Sequence, residues 1–196
     1  MSFGDYYHQQ LLGSGKLDWL IKERGIGLKA IRAFKLGFVR EPAVLEHETY
    51  KGCLVIPYYD GRGRERTIRF RSFRGKPKYL SLPKSEPHLF AIKYADEPRV
   101  FVVEGELDAI TIWQSKRRAV GVPGANLWKD EWKWCFRNCE EVIVLFDQDQ
   151  AGREGAARIV RSLRQVVAVR GIELPDEMDV NELYCKDRRL LEGLLQ

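Results

Sequence analysis

The feature that most constrains the fold is an alternation of short apolar runs with helical stretches in the second half of the chain. Each run is about the length of a buried strand, and each is followed by a segment with helical periodicity. The runs are residues 99–103, 119–122, 142–146 and 166–169. Strands that alternate with helices indicate βαβ units and a parallel sheet covered on both faces. The sequence therefore predicts an α/β domain with a four-stranded parallel sheet flanked by helices.

The first half has a different pattern, typical of a small α+β subdomain. Residues 16–36 have helical periodicity that is interrupted by Gly25 and Gly27, which predicts a pair of helices. Residues 53–59 and 67–71 read as the two strands of a hairpin. Residues 75–98 contain four prolines and are expected to be a mostly irregular connector. We predict an α+β subdomain over residues 1–97, the parallel-sheet domain over 98–184 and a tail over 185–196.

Charge is distributed unevenly between these parts. Residues 1–97 carry 18 Lys/Arg and 11 Asp/Glu, a net charge of +7, whereas residues 98–196 carry 15 and 17, a net charge of −2. Nine basic residues but only one acid, Glu65, lie between Arg62 and Lys84, interleaved with Phe70, Phe73 and Tyr79. Such a tract suits a polyanion, because cations neutralise phosphates and aromatic rings stack on bases. A solvated surface is the open alternative.

Acidic residues follow several of the predicted strands. Glu104 follows the first strand, Asp147 and Asp149 follow the third, and Asp179 lies after the fourth. Ligands gather at the carboxyl ends of parallel strands, so these side chains are expected to converge. Carboxylates that converge repel one another unless cations are present, and Mg²⁺ prefers oxygen ligands. The pattern indicates a magnesium site suited to phosphoryl chemistry.

Each acid also has a purely structural interpretation. Aspartates in a turn can bond to their own backbone, Glu104 can favour the start of a helix, and Asp179 can cap the helix that follows it. Both interpretations stay open for each residue on the sequence alone.

At these residues the chain resembles the Toprim family. The segments that carry the resemblance are Glu104-Gly105-Glu106-Leu107-Asp108 and Asp147-Gln148-Asp149-Gln150-Ala151-Gly152. Met178-Asp179-Val180-Asn181-Glu182 is similar to a segment of primases, and Pro77-Lys78-Tyr79-Leu80 is similar to the basic subdomain before Toprim in DnaG-type primases. The resemblance covers roughly residues 16–185 and includes features of tailed-phage primase–helicases.

The resemblance implies roles for individual residues. Mg²⁺ or Mn²⁺ would be held by Glu104, Asp147, Asp149 and Asp179, and Asp108 would join Glu104, Asp147 and Asp149 in catalysis. Lys78 would contact the template or the incoming triphosphate. The remaining residues expected to bind nucleic acid or nucleotide are Arg69, Arg71, Arg74, Lys76 and Lys93.

The implied function is a DNA primase catalytic core, a DNA-directed RNA polymerase that makes RNA primers from NTPs on a single-stranded DNA template. A Toprim-type nuclease would use the same acids, and a non-catalytic single-strand-binding factor is a third alternative. A type I topoisomerase is disfavoured, because no large domain supplies a nucleophilic tyrosine. Against the family pattern, we expect the zinc-binding and helicase parts to be missing from this chain. A zinc-binding domain in trans and a replicative helicase are therefore the expected partners.

The spacing of the cysteines and the hydropathy of the sequence indicate whether to expect a zinc site, a membrane span or secretion. The four cysteines form no Cys-x-x-Cys pair, so no zinc site is expected and buried free thiols are the preferred interpretation. Neither a signal peptide nor an apolar run long enough for a membrane span is found in the sequence. A cytoplasmic protein of a bacterial cell, encoded by the host or by a phage, is the expectation.

Overall fold

A computed structural model describes residues 2–73, 75–175 and 178–196, and the chain forms two compact units, Met1–Glu86 and Pro87–Gln196. The boundary between the units precedes the one predicted at residues 97 and 98. The assignment of separate roles to these parts of the chain stays a prediction.

Short helices open the first unit. Helix α1, Phe3–Leu12, begins at Ser2, whose hydroxyl accepts a hydrogen bond from the Asp5 backbone N–H. Helix α2, Lys16–Asp18, continues into a π-helical turn, Trp19–Glu23, and α3 spans Leu28–Ala33. The predicted break between the two helical stretches is confirmed. Gly25 lies in it with a φ of 62°, a conformation that glycine adopts without steric cost.

An antiparallel sheet of four strands completes the first unit. The strands are β1 Gly37–Phe38, β2 Leu54–Tyr59, β3 Glu65–Arg71 and β4 Tyr79–Ser81, in that order across the sheet. The predicted hairpin is confirmed as β2 and β3. Ile68 and Phe70 point into the core, where the Phe70 ring stacks on Tyr50 with 3.8 Å between the centroids. The connector predicted over residues 75–98 is mostly irregular, as expected, and contains the short strand β4.

The second unit is built on a parallel sheet of four strands. These are β5 Arg99–Glu104, β6 Ala119–Val122, β7 Glu141–Leu145 and β8 Ala168–Gly171, in the order β6-β5-β7-β8. Strands β5, β6 and β7 are almost wholly buried, which explains why they read as unbroken apolar runs. The predicted α/β fold is confirmed. The last strand begins slightly later than predicted and is mostly exposed, so its apolar pattern is weaker.

Four α-helices accompany this sheet: α4 Glu106–Gln114, α5 Gln150–Leu163, α6 Val180–Lys186 and α7 Arg188–Leu194. Shorter 3₁₀ turns lie at Ile92–Tyr94, Ala125–Leu127 and Asp130–Phe136. The core between helices and sheet includes Val102, Val144, Phe146 and Ile159. This layering places the loops after β5 and β7 at the same edge of the sheet.

The cysteines differ in exposure. Cys53 is buried and Cys139 is half-buried, but Cys135 and Cys185 are exposed, so the prediction of buried thiols is wrong for the last two. Among the residues that the structure describes, no helix has the length and apolar character that a membrane span requires.

Candidate functional site

The predicted acids meet at the carboxyl edge of the parallel sheet. Glu104 is the last residue of β5, and Asp147 and Asp149 lie between β7 and α5. Asp179 immediately precedes α6 and is close enough to Asp147 to act on its charge. The structure therefore brings together acids that are 75 positions apart in the sequence, from 104 to 179.

Asp147 has the most perturbed carboxyl of this group. Burial, followed by the charges of Glu104, Asp179, Asp149 and Glu182, raises the pKa of Asp147 to about 7. Burial and nearby negative charges both disfavour the ionised form of a carboxyl, and both therefore raise its pKa. Strongly perturbed acids in one place are typical of functional sites.

Glu104 is held in position by the backbone of the neighbouring loop. Its Oε1 accepts a hydrogen bond from the Ala125 N–H at 3.1 Å. Burial raises the pKa of Glu104, the Ala125 hydrogen bond opposes that effect, and the charge of Asp149 adds to it. The Glu104 carboxylate is thus oriented by a single backbone donor and faces a second acid.

Asp149 and Asp179 both act as helix caps. Asp149 accepts a hydrogen bond from the Gly152 N–H at 2.7 Å at the start of α5, and Asp179 accepts one from the Glu182 N–H at 2.6 Å at the start of α6. The interpretation of Asp179 as a helix cap is therefore confirmed. It does not exclude a second role, because a carboxylate has further lone pairs for other partners.

Glu182 is a residue of this site that the sequence analysis missed. Its side chain accepts a hydrogen bond from the Asp179 N–H, which completes a capping box, and its charge contributes to the high pKa of Asp147. The spacing of Asp179 and Glu182 matches the general capping-box signature, so the sequence contained a signal for it.

Glycines permit the close packing at this edge. Gly105 has a φ of 117°, which strains any residue with a side chain. A Cβ at Gly121 would lie 2.5 Å from the Gly105 carbonyl oxygen, and a Cβ at Gly152 would collide with the Asp147 carbonyl oxygen. The last contact shows that the first turn of α5 rests directly on the backbone of Asp147.

Asp108 is more buried than Glu104, Asp147, Asp149 and Asp179. It is 6% exposed, and its Oδ1 accepts a hydrogen bond from the Asn181 N–H at 2.9 Å. Asn181 also donates from Nδ2 to the Thr111 hydroxyl at 2.9 Å. Through these bonds α4 holds the first turn of α6, which begins next to Asp179. The sequence analysis missed Asn181 and Thr111.

The donor chemistry of the site suits a hard divalent cation, although the geometry is open. Within residues 2–73, 75–175 and 178–196, no three acidic, histidine or cysteine side chains form a ready-made cage. An open arrangement fits Mg²⁺, which usually retains waters and binds through one or two carboxylates together with substrate phosphates. The high pKa of Asp147 is evidence that a cation would relieve local repulsion.

The predicted basic residues differ in how accessible they are. Lys76, Lys78 and Lys93 are exposed, whereas Arg71 is 3% exposed. The Arg71 guanidinium lies 4.8 Å from the Trp19 ring centroid and 5.6 Å from that of Tyr79. Arg71 is thus held within an aromatic cluster, a setting that its sequence context did not indicate.

Arg69 lies on the same side of the hairpin, as its alternation with Ile68 and Phe70 predicts. Its guanidinium lies 4.9 Å from the Tyr79 ring centroid, and its Nη1 donates to the Tyr58 hydroxyl at 3.4 Å. Arg74 was also predicted to bind nucleic acid, but it lies outside the described residues.

Comparison with known proteins supports one family. The Toprim_2 family model, described as Toprim-like, matches residues 101–184. The Gene 57 protein of Mycobacterium phage D29 is 35% identical over 156 residues, which cover 74% of this chain and 99% of that protein. A DNA primase of Pseudomonas aeruginosa is 30% identical over 185 residues, 85% of this chain but 28% of the primase. The chain spans less than half the length of the DNA primases it matches.

Solved structures show the same fold. The DnaG catalytic core superposes with a TM-score of 0.79 at 23% identity, over 98% of this chain and 76% of that one. The zinc-binding and RNA polymerase domains of the Aquifex aeolicus primase give a TM-score of 0.78 at 24% identity, over 97% of this chain and 58% of that one. Together these findings show that the chain belongs to the family of the phage Gene 57 protein, contains a Toprim-like segment and has the fold of the DnaG primase catalytic core.

Proposed function

We propose that the protein is a DNA primase core that joins ribonucleoside triphosphates into short RNA primers on single-stranded DNA. The observation that carries the proposal is the acidic cluster around Asp147, in which burial and then the charges of four neighbouring carboxylates raise the pKa of this residue. DNA primases among the relatives agree with the proposed reaction class.

Glu104, Asp147, Asp149 and Asp179 would hold Mg²⁺ or Mn²⁺ in this reaction. When bound, the cations neutralise the triphosphate and stabilise charge on the attacking and leaving oxygens. Backbone hydrogen bonds orient the carboxylates that would hold the cations: the Ala125 N–H donates to Glu104, and the Gly152 N–H donates to Asp149. The cap bonds at Asp149 and Asp179 limit side-chain motion, so less entropy is lost when ligands bind.

Asp108 is assigned a positioning role rather than direct contact with the reacting groups. It is buried and bonded to the backbone of Asn181, so it sets the start of α6 and with it Asp179. This assignment replaces the direct catalytic role that the resemblance implied for Asp108.

The basic hairpin region would bind the template or the incoming nucleotide. Lys76 and Lys78 are exposed cations that can reach phosphates, and Lys93 in the second unit is a further candidate. Arg69 and Arg71 belong to the proposed set, and their guanidinium groups lie against aromatic rings that hold them in place. Arg74 completes the proposed set.

The proposed partners are a single-stranded DNA template, NTPs and the RNA product, with a replicative helicase and a zinc-binding domain supplied in trans. The proposed compartment is the cytoplasm of a bacterial cell. A single-stranded DNA complex of a DnaG primase catalytic domain has been solved, which supports the choice of template.

The decisive experiment is incubation of the protein with labelled NTPs, single-stranded DNA and Mg²⁺ or Mn²⁺. Short labelled RNA that requires both template and metal is the expected product. Cleavage of the template without RNA synthesis would point to a nuclease, and binding without either reaction would point to a non-catalytic factor. A Glu104→Gln variant serves as the inactive control.

A further inference from the structure

Helix α5 is connected to three of the four acids that are proposed to hold metal. Asp149 caps its N-terminus, and the backbone of Asp147 lies directly against Gly152 in its first turn. Glu104 is connected to the helix less directly, through Ala125, whose N–H donates to Glu104 Oε1 at 3.1 Å. The contact between α5 and the turn that contains Ala125 can therefore control the geometry of the site.

Gly155 allows α5 to lie directly against Ala125. A Cβ at position 155 would lie 2.8 Å from the Ala125 Cβ and 3.0 Å from the Ala125 carbonyl oxygen. Non-bonded carbon atoms pack at roughly 3.5–4.0 Å, so a side chain at this position would push the helix and the turn apart. Gly155 is buried and lies three residues after Gly152, on the same face of α5. That face therefore rests on two backbone segments of the site at once.

The turn itself is shaped so that it presents the Ala125 N–H. It follows β6, which pairs with β5 in parallel register as far as Glu104. Gly124 has a φ of 144°, a conformation that a residue with a side chain rarely adopts, and the 3₁₀ turn Ala125–Leu127 begins directly after it. The backbone at Gly124 thus sets where the N–H points, and the contact with Gly155 keeps the turn in place.

A hydrogen bond joins α5 to the same turn. Arg158 Nη2 donates to the Asn126 side-chain oxygen at 3.2 Å. Asn126 follows Ala125 directly, and Arg158 lies three residues after Gly155. Both side chains are exposed, so we expect this bond to contribute little to the free energy of unfolding. It limits motion of the turn nonetheless, because it ties the helix to the residue next to the donor of Glu104.

We propose that α5 sets the geometry of the metal site, with Gly155, Asn126 and Arg158 as positioning residues. They fix the turn that orients Glu104, while the start of the same helix fixes the acids that follow β7. This inference rests on the proposed function, in which these acids hold divalent metal. Residues that orient a metal ligand without touching the metal commonly change its affinity by about tenfold or more when they are replaced.

The test measures binding of Mn²⁺ to the full chain without NTPs or DNA, from the EPR signal of the free ion. Gly155→Ala should weaken Mn²⁺ binding by about tenfold, because its Cβ displaces the turn and with it the Ala125 N–H. The matched control is Leu163→Ala, which removes buried packing from the same helix about two turns further along. It should lower the urea unfolding midpoint and leave the Mn²⁺ affinity of the folded protein unchanged.

Arg158 provides a test in which positioning and electrostatics predict opposite signs. Removing a positive charge from the helix that carries the site should strengthen cation binding by electrostatics alone, whereas loss of positioning should weaken it. We expect Arg158→Ala and Asn126→Ala each to weaken Mn²⁺ binding by about threefold, the effect of losing one hydrogen bond. Arg158→Lys keeps a donor and should recover most of the affinity. Arg164→Ala, at the exposed end of the same helix, should bind at least as tightly as the wild type.

These surface variants also carry the test if Gly155→Ala does not fold. Wild-type Mn²⁺ affinity in Gly155→Ala, or an equal loss in Leu163→Ala, would overturn the proposal. Unchanged or tighter binding by Arg158→Ala would overturn the role of its contact with Asn126. A wild type that binds Mn²⁺ but makes no RNA would refute the proposed function and leave the positioning role intact, whereas a wild type that binds no Mn²⁺ would refute both.

Discussion

The pKa of Asp147 reflects both its burial and the negative charges around it. Its pKa in the folded protein is about 7, against an ordinary value of 3.8. Between these two values the folded state binds more protons at Asp147 than the unfolded state does. Stability contributed by this residue is therefore lost as the pH rises from about 4 to about 7.

We predict that Asp147→Asn abolishes primer synthesis and makes the metal-free protein more stable above pH 7. The gain should be on the order of 1–2 kcal/mol after allowance for solvent screening, and it should shrink as the pH falls towards 4. Urea unfolding of both proteins in EDTA at several pH values measures it. Glu131→Gln, at an exposed acid elsewhere in the unit, should show no such trend.

Magnesium should make the wild type more stable than Asp147→Asn, the reverse of the order expected without metal. Addition of Mg²⁺ is expected to raise the melting temperature of the wild type more than that of Asp147→Asn, because a ligand that binds only the folded state stabilises it. A metal-free Asp147→Asn protein that is clearly less stable than the wild type would instead show that Asp147 is a structural partner.

Gly152 tests the close approach of α5 to the Asp147 backbone. We predict that Gly152→Ala destabilises the protein by about 2 kcal/mol or more, because its Cβ would collide with the Asp147 carbonyl oxygen. Gly193→Ala is the matched control: Gly193 lies in α7 with open space around it, so alanine there should stabilise by roughly 0.5–1 kcal/mol. Thermal unfolding measures both variants. Equal melting temperatures for Gly152→Ala and Gly193→Ala would show that the contact between α5 and the Asp147 backbone is not tight.

At the scale of elements, α4 and α6 are joined by a small polar network that sets the position of Asp179. Asp108 accepts from the backbone of Asn181, and Asn181 donates to Thr111. Such bonds are costly to break, because a buried N–H without an acceptor loses its solvation.

We predict that Asp108→Ala costs about 1–3 kcal/mol and raises the Mg²⁺ concentration needed for half-maximal synthesis. Asp108→Asn keeps an acceptor oxygen and should recover most of both losses. The measurements are urea unfolding and a metal titration of activity. Equal loss of activity in the two variants, with an unchanged metal requirement, would restore a direct catalytic role to Asp108.

The exposed lysines Lys76 and Lys78 lie in the segment between β3 and β4. We predict that Lys76→Ala/Lys78→Ala weakens binding of single-stranded DNA similarly for all sequences and reduces the slope of log affinity against log salt by about 0.7 per lost phosphate contact. The control Lys29→Ala/Arg32→Ala removes two exposed charges from α3. If the salt slope is unchanged in the first variant, these lysines are solvated surface residues. Arg71 is unsuitable for this test, because its burial confounds binding with stability.

At the scale of the whole molecule, we expect formation of the first phosphodiester bond to limit the rate of primer synthesis. Aligning two free triphosphates is entropically harder than extending a chain whose end is already held. We predict weak and poorly sequence-selective initiation by this chain, and faster synthesis when a dinucleotide complementary to the template is supplied. Initial rates with and without the dinucleotide measure this, and a zinc-binding protein added in trans should restore initiation. Efficient, site-specific initiation without either addition would place start-site recognition within this chain.

Much of the architecture could be predicted from the sequence alone. Buried parallel strands produce continuous apolar runs, and strand β3 of the hairpin produces an alternating one. The α/β fold and the edge that holds Glu104 and Asp147 therefore follow from local patterns. The mostly exposed strand β8 was placed less accurately, because exposure weakens the apolar signal.

Only the tertiary structure decided how individual side chains are used. Arg71 reads as an exposed cation in a basic tract but is buried beside Trp19, 52 positions earlier in the chain. Asp108 bonds to the backbone of Asn181, 73 positions later in the chain. Asp147 acquires its high pKa from burial and then from the charges of Glu104, Asp179, Asp149 and Glu182. Hydrophobic periodicity is a property of neighbouring residues, whereas burial, pairing and charge repulsion depend on distances between residues that only the folded chain brings together.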